Sequence, residues 1–312
     1  MNIFFTLLYQ VTIMLILLGI GYLLFRTGKI SEDGSKTLGN LLIYLALPCV
    51  IINGFFVERT PERLRGLLYS AATAAVLLLA AIIVSRVLFR KDSIAVFAGS
   101  FSNPGFFGIP LITAVLSNGA VFYIASFVAF LNLLQWTYGV FLMKREGSED
   151  QHLLTEALTP KKLFTAPFMI AILIGLFFFL TQLPVPGIFS ECVSSIAGLN
   201  TPLSMFTAGV YLAQTDLKKM FLKLQLYKIC VVRLLLIPLI SLPLLSLLPE
   251  AFLEMKLALF ICAACPTGSN IAVYAQLHQK NYSYAVETVV TSTLFSVLTL
   301  PIMVGLASVL WR

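Results

Sequence analysis

Residues 102–111 read SNPGFFGIPL and residues 265–274 read CPTGSNIAVY, each within a long apolar segment. Proline removes a backbone donor from a helix, and its ring clashes with the preceding turn. In hydrocarbon, the freed backbone groups are tolerated only where they meet protein or a wet cavity. Asn103-Pro104-Gly105 is followed by Gly108 and Pro110, whereas Pro266 and Gly268 stand among Thr267, Ser269 and Asn270. Both stretches therefore read as helices broken midway across a membrane.

The rest of the chain fits that setting. Of 312 residues, 59% are hydrophobic and 11% charged, with mean hydropathy +0.95. A soluble domain is roughly 25% charged. This composition excludes a water-facing surface, disorder, a disulfide scaffold and a nucleic-acid binder. At about 20 residues per spanning helix, ten apolar segments fit: 3–25, 35–56, 65–89, 94–117, 120–143, 163–181, 189–213, 222–248, 252–277 and 284–310. The fold expected is an all-α polytopic membrane protein of ten transmembrane helices, with residues 1–143 and 163–312 as two halves joined by a polar linker at 144–162. The run 3–25 is too long for a signal peptide and lacks a basic leader.

The net charge of +7 then reads as topology. Fifteen Lys and Arg residues fall in the connections after the odd-numbered segments and five on the other side, with Arg233 alone inside a segment. This bias predicts a multi-pass protein of the cell membrane with cytoplasmic odd connections and both termini extracellular. Five spans per half require the halves to be inverted relative to one another, as in many secondary transporters. Pro48 and Pro202 in the second span of each half are 154 residues apart, and Pro104 and Pro266 in the fourth are 162 apart. The first pair reads as simple kinks.

Each second half-helix begins at its break, so Gly105 to Gly108 and Thr267 to Asn270 would present free N–H groups. Helix N-termini attract anions. With no acid in either break, a carboxylate is favoured over a cation. Ser102, Asn103, Thr267, Ser269 and Asn270 would add side-chain hydrogen bonds.

The stretches LPCVIINGFF at 47–56, SNPGFFGIPL at 102–111, and PTGSNIAVYAQ through ETVVTSTLFSVLTLP at 266–301 resemble the bacterial auxin efflux carrier family, relatives of the plant PIN-FORMED transporters and of malonate and malate carriers. The likeness covers essentially the whole chain. It implies ten helices in two inverted five-helix repeats, whose first two helices form a scaffold (helices 1, 2, 6 and 7). The other three form a mobile bundle (helices 3–5 and 8–10), in which helices 4 and 9 cross at their breaks. Substrate would bind at the crossover and move by an elevator-type displacement. Pro104, Pro266, Asn103 and Asn270 match the family's crossover positions. The short central linker departs from the long regulated loop of some plant relatives, and the break points to an anion rather than an indole.

Arg233 has two readings, an ion pair with Glu287 or a counter-charge for substrate; Glu287 has a third, as carrier of a coupling proton. Asn132 and Gln135 lie deep in the fifth span and would join the crossover or bond neighbours. Asn53, Asn200 and Thr201 would face substrate across the scaffold boundary. Thr288, Ser292, Ser296 and Thr299 form a stripe of the kind that packs helices together.

An intramembrane enzyme would need a nucleophile with its base, a carboxylate pair or a metal set. The sequence has no HExxH, GxSxG or paired intramembrane aspartates, and neither His152 nor His278 stands at ligand spacing with Cys262 and Cys265. No Walker loop is present, and no metal or cofactor is expected. The partners expected are a small organic anion and the bilayer. Coupling to a proton or sodium stays open, as does a homodimer through the scaffold helices. A channel or a membrane sensor would keep the same fold.

Overall fold

The computed structural model describes residues 3–117, 119–144 and 165–311. Apart from Lys144, the expected linker lies outside them, as does the start of the sixth segment. The described residues form helices α1 (Ile3–Arg26), α2 (Glu32–Gly54), α3 (Pro61–Phe89), α4 (Ser93–Ser100), α5 (Pro104–Val115), α6 (Ala120–Lys144), α7 (Pro167–Thr181), α8 (Gly187–Ala197), α9 (Asn200–Ala213), α10 (Leu217–Phe221), α11 (Leu224–Ser246), α12 (Leu253–Ala264), α13 (Asn270–Leu277) and α14 (Tyr282–Leu310). Among these residues there is no strand; the β pairing is one isolated bridge, Ser102 to Thr267.

Six helices, α1, α2, α3, α6, α11 and α14, are long and apolar enough to cross a bilayer. Their outward faces carry Leu68, Ile83, Leu298 and Ile302, each more than half exposed. Such an apolar exterior suits lipid and not water. The other apolar segments are shorter or interrupted: α4 and α5 are separated at 101–103, α8 and α9 at 198–199, and α12 and α13 at 265–269.

The prolines are absorbed in different ways. In α2 and α11 the turn before Pro48 and Pro238 widens to a π turn, at Leu42–Ala46 and Val232–Leu236. Widening the turn relieves the ring clash and the missing donor. Pro202 makes no kink. It sits in the first turn of α9, where its missing N–H has no intrahelical partner to lose.

Packing forms two groups that also meet, α1 lying against α14 and α5. α1 lies along α9, and α2 meets α7, α8 and α9. The second set joins α3 to α4 and α6, and α12 to α6, α11 and α14. α1 and α9 touch backbone to backbone: a Cβ at Gly21 would stand 2.6 Å from Phe206 Cα, and one at Gly209 would overlap Leu18 O. Small residues permit this approach, which gains van der Waals contact in the absence of a hydrophobic drive between helices in lipid. Gly209→Val should therefore lower stability by about 1–3 kcal/mol, read as a fall in the melting temperature of the purified protein in detergent. Gly19→Ala, with open space at its Cβ, should leave it unchanged.

Candidate functional site

Two chain breaks build the site. The Asp92 carboxylate caps α4, accepting from Ala95 N at 2.8 Å, and α4 ends at Ser100. The chain then runs extended to Asn103, whose Oδ1 accepts from Phe106 N at 3.3 Å and so caps α5. Pro104 takes the first helical position, where no N–H is needed. At the other break, Cys265 leaves α12 in extended conformation and α13 starts at Asn270.

The two extended stretches pair with one another. Asn103 N donates to Pro266 O and Gly268 N donates to Phe101 O, both at 2.9 Å. A Cβ at Gly268 would lie 2.8 Å from Ser102 O, so glycine is what permits the pairing. Asn103 Nδ2 donates to Ser269 Oγ at 2.9 Å, and Asn270 Nδ2 to Gln135 Oε1 at 2.8 Å. Thr267 turns away, its Oγ1 donating to Ala98 O and its N–H to Ser292 Oγ, both at 3.1 Å. Ser292 thus does more than pack.

This pairing corrects one expectation. Of the N–H groups expected to be free, Thr267, Gly268, Phe106, Phe107 and Gly108 already have partners, because a buried amide left unpaired is costly. Two side-chain donors beside them lack a partner. Ser102 Oγ and Gln135 Nε2 are buried without a hydrogen bond, each residue being 1% exposed.

Both residues line a cavity of about 50 Å³ together with Asn103, Pro104, Gly105, Asn132, Gly268, Ser269 and Asn270. Gly108, Pro266, Thr267 and Arg233 do not line it. Gly108 instead packs against Cys265, with 3.0 Å from its Cβ position to Sγ. Asn132 stands in the cavity wall while its amide donates to its own helix at Val128 O. Gln135 opens a π turn, Gln135–Gly139, with no proline to explain it. Its depth in an apolar span was legible in the sequence; its bond to Asn270, 135 positions away, was not.

A second cavity, of about 180 Å³, is walled by Asn53, Thr113, Ser194, Asn200 and Thr201 with apolar neighbours from α2, α5 and α6. One bond ties the two walls together, Asn200 Nδ2 donating to Gly105 O at 3.1 Å. Asn200 Oδ1 has no partner.

The expected Arg233–Glu287 pair is absent. Glu287, 5% exposed, binds Lys223 Nζ through both oxygens at 2.7 and 2.6 Å. Lys223 stands just before α11 and meets the first turns of α14, whereas Arg233 lies nearly three turns deeper. Arg233 donates to three backbone carbonyls, Cys265 O and Gly99 O at 3.0 Å and Ala263 O. It is neither an ion-pair partner nor a cavity-lining counter-charge. Beside Glu287, Asp92 Oδ2 accepts from Tyr284 OH at 2.9 Å and from Gln225 Nε2 at 3.3 Å. At the end of α13, burial and then the nearby Lys144 and Lys280 hold His278 below the usual imidazole range.

Because Glu287 is buried, Lys223→Met should destabilise by at least about 1 kcal/mol. Adding Glu287→Gln should recover most of that loss, while Glu287→Gln should not rescue Arg233→Gln. Melting temperatures of the single and double variants check both statements.

The family model described as membrane transport protein matches residues 6–304. A protein of Rhizobium meliloti (strain 1021) named "Putative malonate transporter" is 26% identical over 293 residues, covering 91% of this chain and 90% of its own length. A helical, apolar-surfaced, multi-pass chain matched along nearly its whole length is a membrane transporter and not an enzyme: it belongs to the membrane transport protein family, that of the auxin efflux carriers.

Proposed function

We propose that this protein is a secondary transporter for a small organic anion, a carboxylate or dicarboxylate of the size of malonate or malate, bound where the two breaks pair. The observation that carries the proposal is the pair of buried, unpartnered donors, Ser102 Oγ and Gln135 Nε2, in one cavity wall. A carboxylate supplies the acceptors they lack, and hydrogen bonds to a charged group are the stronger kind. Ser269, whose Oγ already accepts from Asn103, retains its own proton to donate. The name borne by the relative points to the same chemistry.

The wider mechanism belongs to the same proposal. The chain makes ten passes as two inverted halves, α1–α6 and α7–α14, with broken crossing segments at α4–α5 and α12–α13. A scaffold of α1, α2 and α7–α9 holds a bundle of α3–α6 and α11–α14, and the bundle carries the anion by an elevator displacement. The packing of α1 along α9 and of α2 on α7, α8 and α9 supports the scaffold half of this division. Asn200 is the polar link across it and would be released as the bundle moves. Both termini face outward, with the Lys223–Glu287 and Asp92–Tyr284 contacts on the cytoplasmic side. Coupling to a proton or sodium ion, and a homodimer through the scaffold, are the remaining elements of the reading. A channel or sensor on the same fold is the alternative; saturable uptake accelerated by substrate on the far side favours the carrier.

The test is a thermal-shift and proteoliposome-uptake screen with mono- and dicarboxylates, their amides, and cations. Stabilisation by carboxylates alone is expected; stabilisation by cations or neutral solutes alone overturns the anion site. Ser102→Ala removes one donor to a charged group, so it should raise KM about tenfold or more while leaving the melting temperature of the ligand-free protein near that of the wild type, because Ser102 Oγ bonds nothing there.

A further inference from the structure

A helix break has an electrostatic weakness as an anion site. The C-terminus of the first half-helix and the N-terminus of the second lie side by side, carrying about half a negative and half a positive elementary charge. Seen from a short distance they cancel. Two breaks meeting at one point bring together two such couples, with a sum near zero. Dipoles so arranged give an anion little net attraction.

Arg233 changes that sum. Its guanidinium is 1% exposed and donates to Gly99 O, at the last turn of α4, and to Ala263 O and Cys265 O, at the end of α12. These are the two helix C-termini of the breaks. Among the described residues no carboxylate forms a salt bridge with Arg233; Glu287 is taken by Lys223. One full positive charge therefore faces two half-charges of opposite sign. The π turn at Val232–Leu236 carries Arg233 within the wall that meets both ends. On the far side of the bridge, the N-termini of α5 and α13 border the cavity with Gln135 and Ser102.

We propose that Arg233 sets the anion selectivity of the break cavity without touching the ligand, by quenching the two helix C-termini and so leaving the two N-termini unopposed. The quenched site carries about one net positive charge, matched to one carboxylate group. Arg233 is thus a positioning and selectivity residue, and the inference rests on the anion reading proposed above. Arginine suits the task because its fork reaches several carbonyls and keeps its charge when buried.

The experiment compares ligand pairs that differ in charge and little in shape: malonate against malonamide, succinate against succinamide, and acetate against acetamide. Apparent affinities are measured on the full-length protein in detergent for the wild type, Arg233→Lys, Arg233→Gln and Arg233→Met. A unit charge about 10 Å from a ligand, at an effective dielectric of about 20, changes binding roughly tenfold. The acid-over-amide ratio should therefore fall roughly tenfold in the Gln and Met variants and stay near the wild-type value in Arg233→Lys. A purely structural role would weaken acid and amide together, and an unchanged ratio in the neutral variants overturns the proposal.

If the neutral variants do not assemble, Arg233→Lys carries the test. Its ratio should fall as pH is raised through the titration of the buried amine, while the wild type stays flat and so controls for the neighbouring Cys265 thiol. A lysine variant with a wild-type ratio at every pH overturns the role of Arg233. A wild type that binds no carboxylate at all overturns the anion reading itself, which separates the two failures.

Discussion

A backbone amide or carbonyl freed inside an apolar protein must find a partner in the protein, and this requirement shapes the whole centre of the molecule. Two interrupted helices each release such groups at the same depth. They meet the requirement jointly, through the Ser102–Thr267 bridge and its two backbone hydrogen bonds. Helix caps, the Arg233 fork and the Thr267 and Ser292 hydroxyls take up others. What stays unsatisfied is then informative. In an interior where nearly every polar group is paired, two orphaned donors in one cavity wall are the observation on which the proposed anion site rests.

The buried charges sort by the same logic. Glu287 pairs with a lysine just before α11, within reach of the surface, and Arg233 pairs with helix ends deep inside. Exchanging these partners would leave a carboxylate facing carbonyls. The arrangement concentrates polar bonding where α3–α6 and α11–α14 meet one another, while α1 and α9 hold together by close backbone contact. A set of helices cross-linked by buried hydrogen bonds moves more readily as one body than as separate parts.

The sequence by itself determined the membrane class, the helical segments and the position of both breaks, because composition, hydropathy and proline chemistry act over a few residues. Ser102, Asn103, Ser269 and Asn270 were legible as candidates for that reason. The tertiary structure decided which of their donors are spent and which are free, that Gln135 joins them, that Pro202 starts a helix without kinking one, and that Arg233 serves two helix ends while Glu287 takes Lys223. Apart from the Pro202 helix start, these outcomes depend on distances between residues 30 to 170 positions apart in the chain. No local pattern encodes such distances; they follow only once the helices are packed.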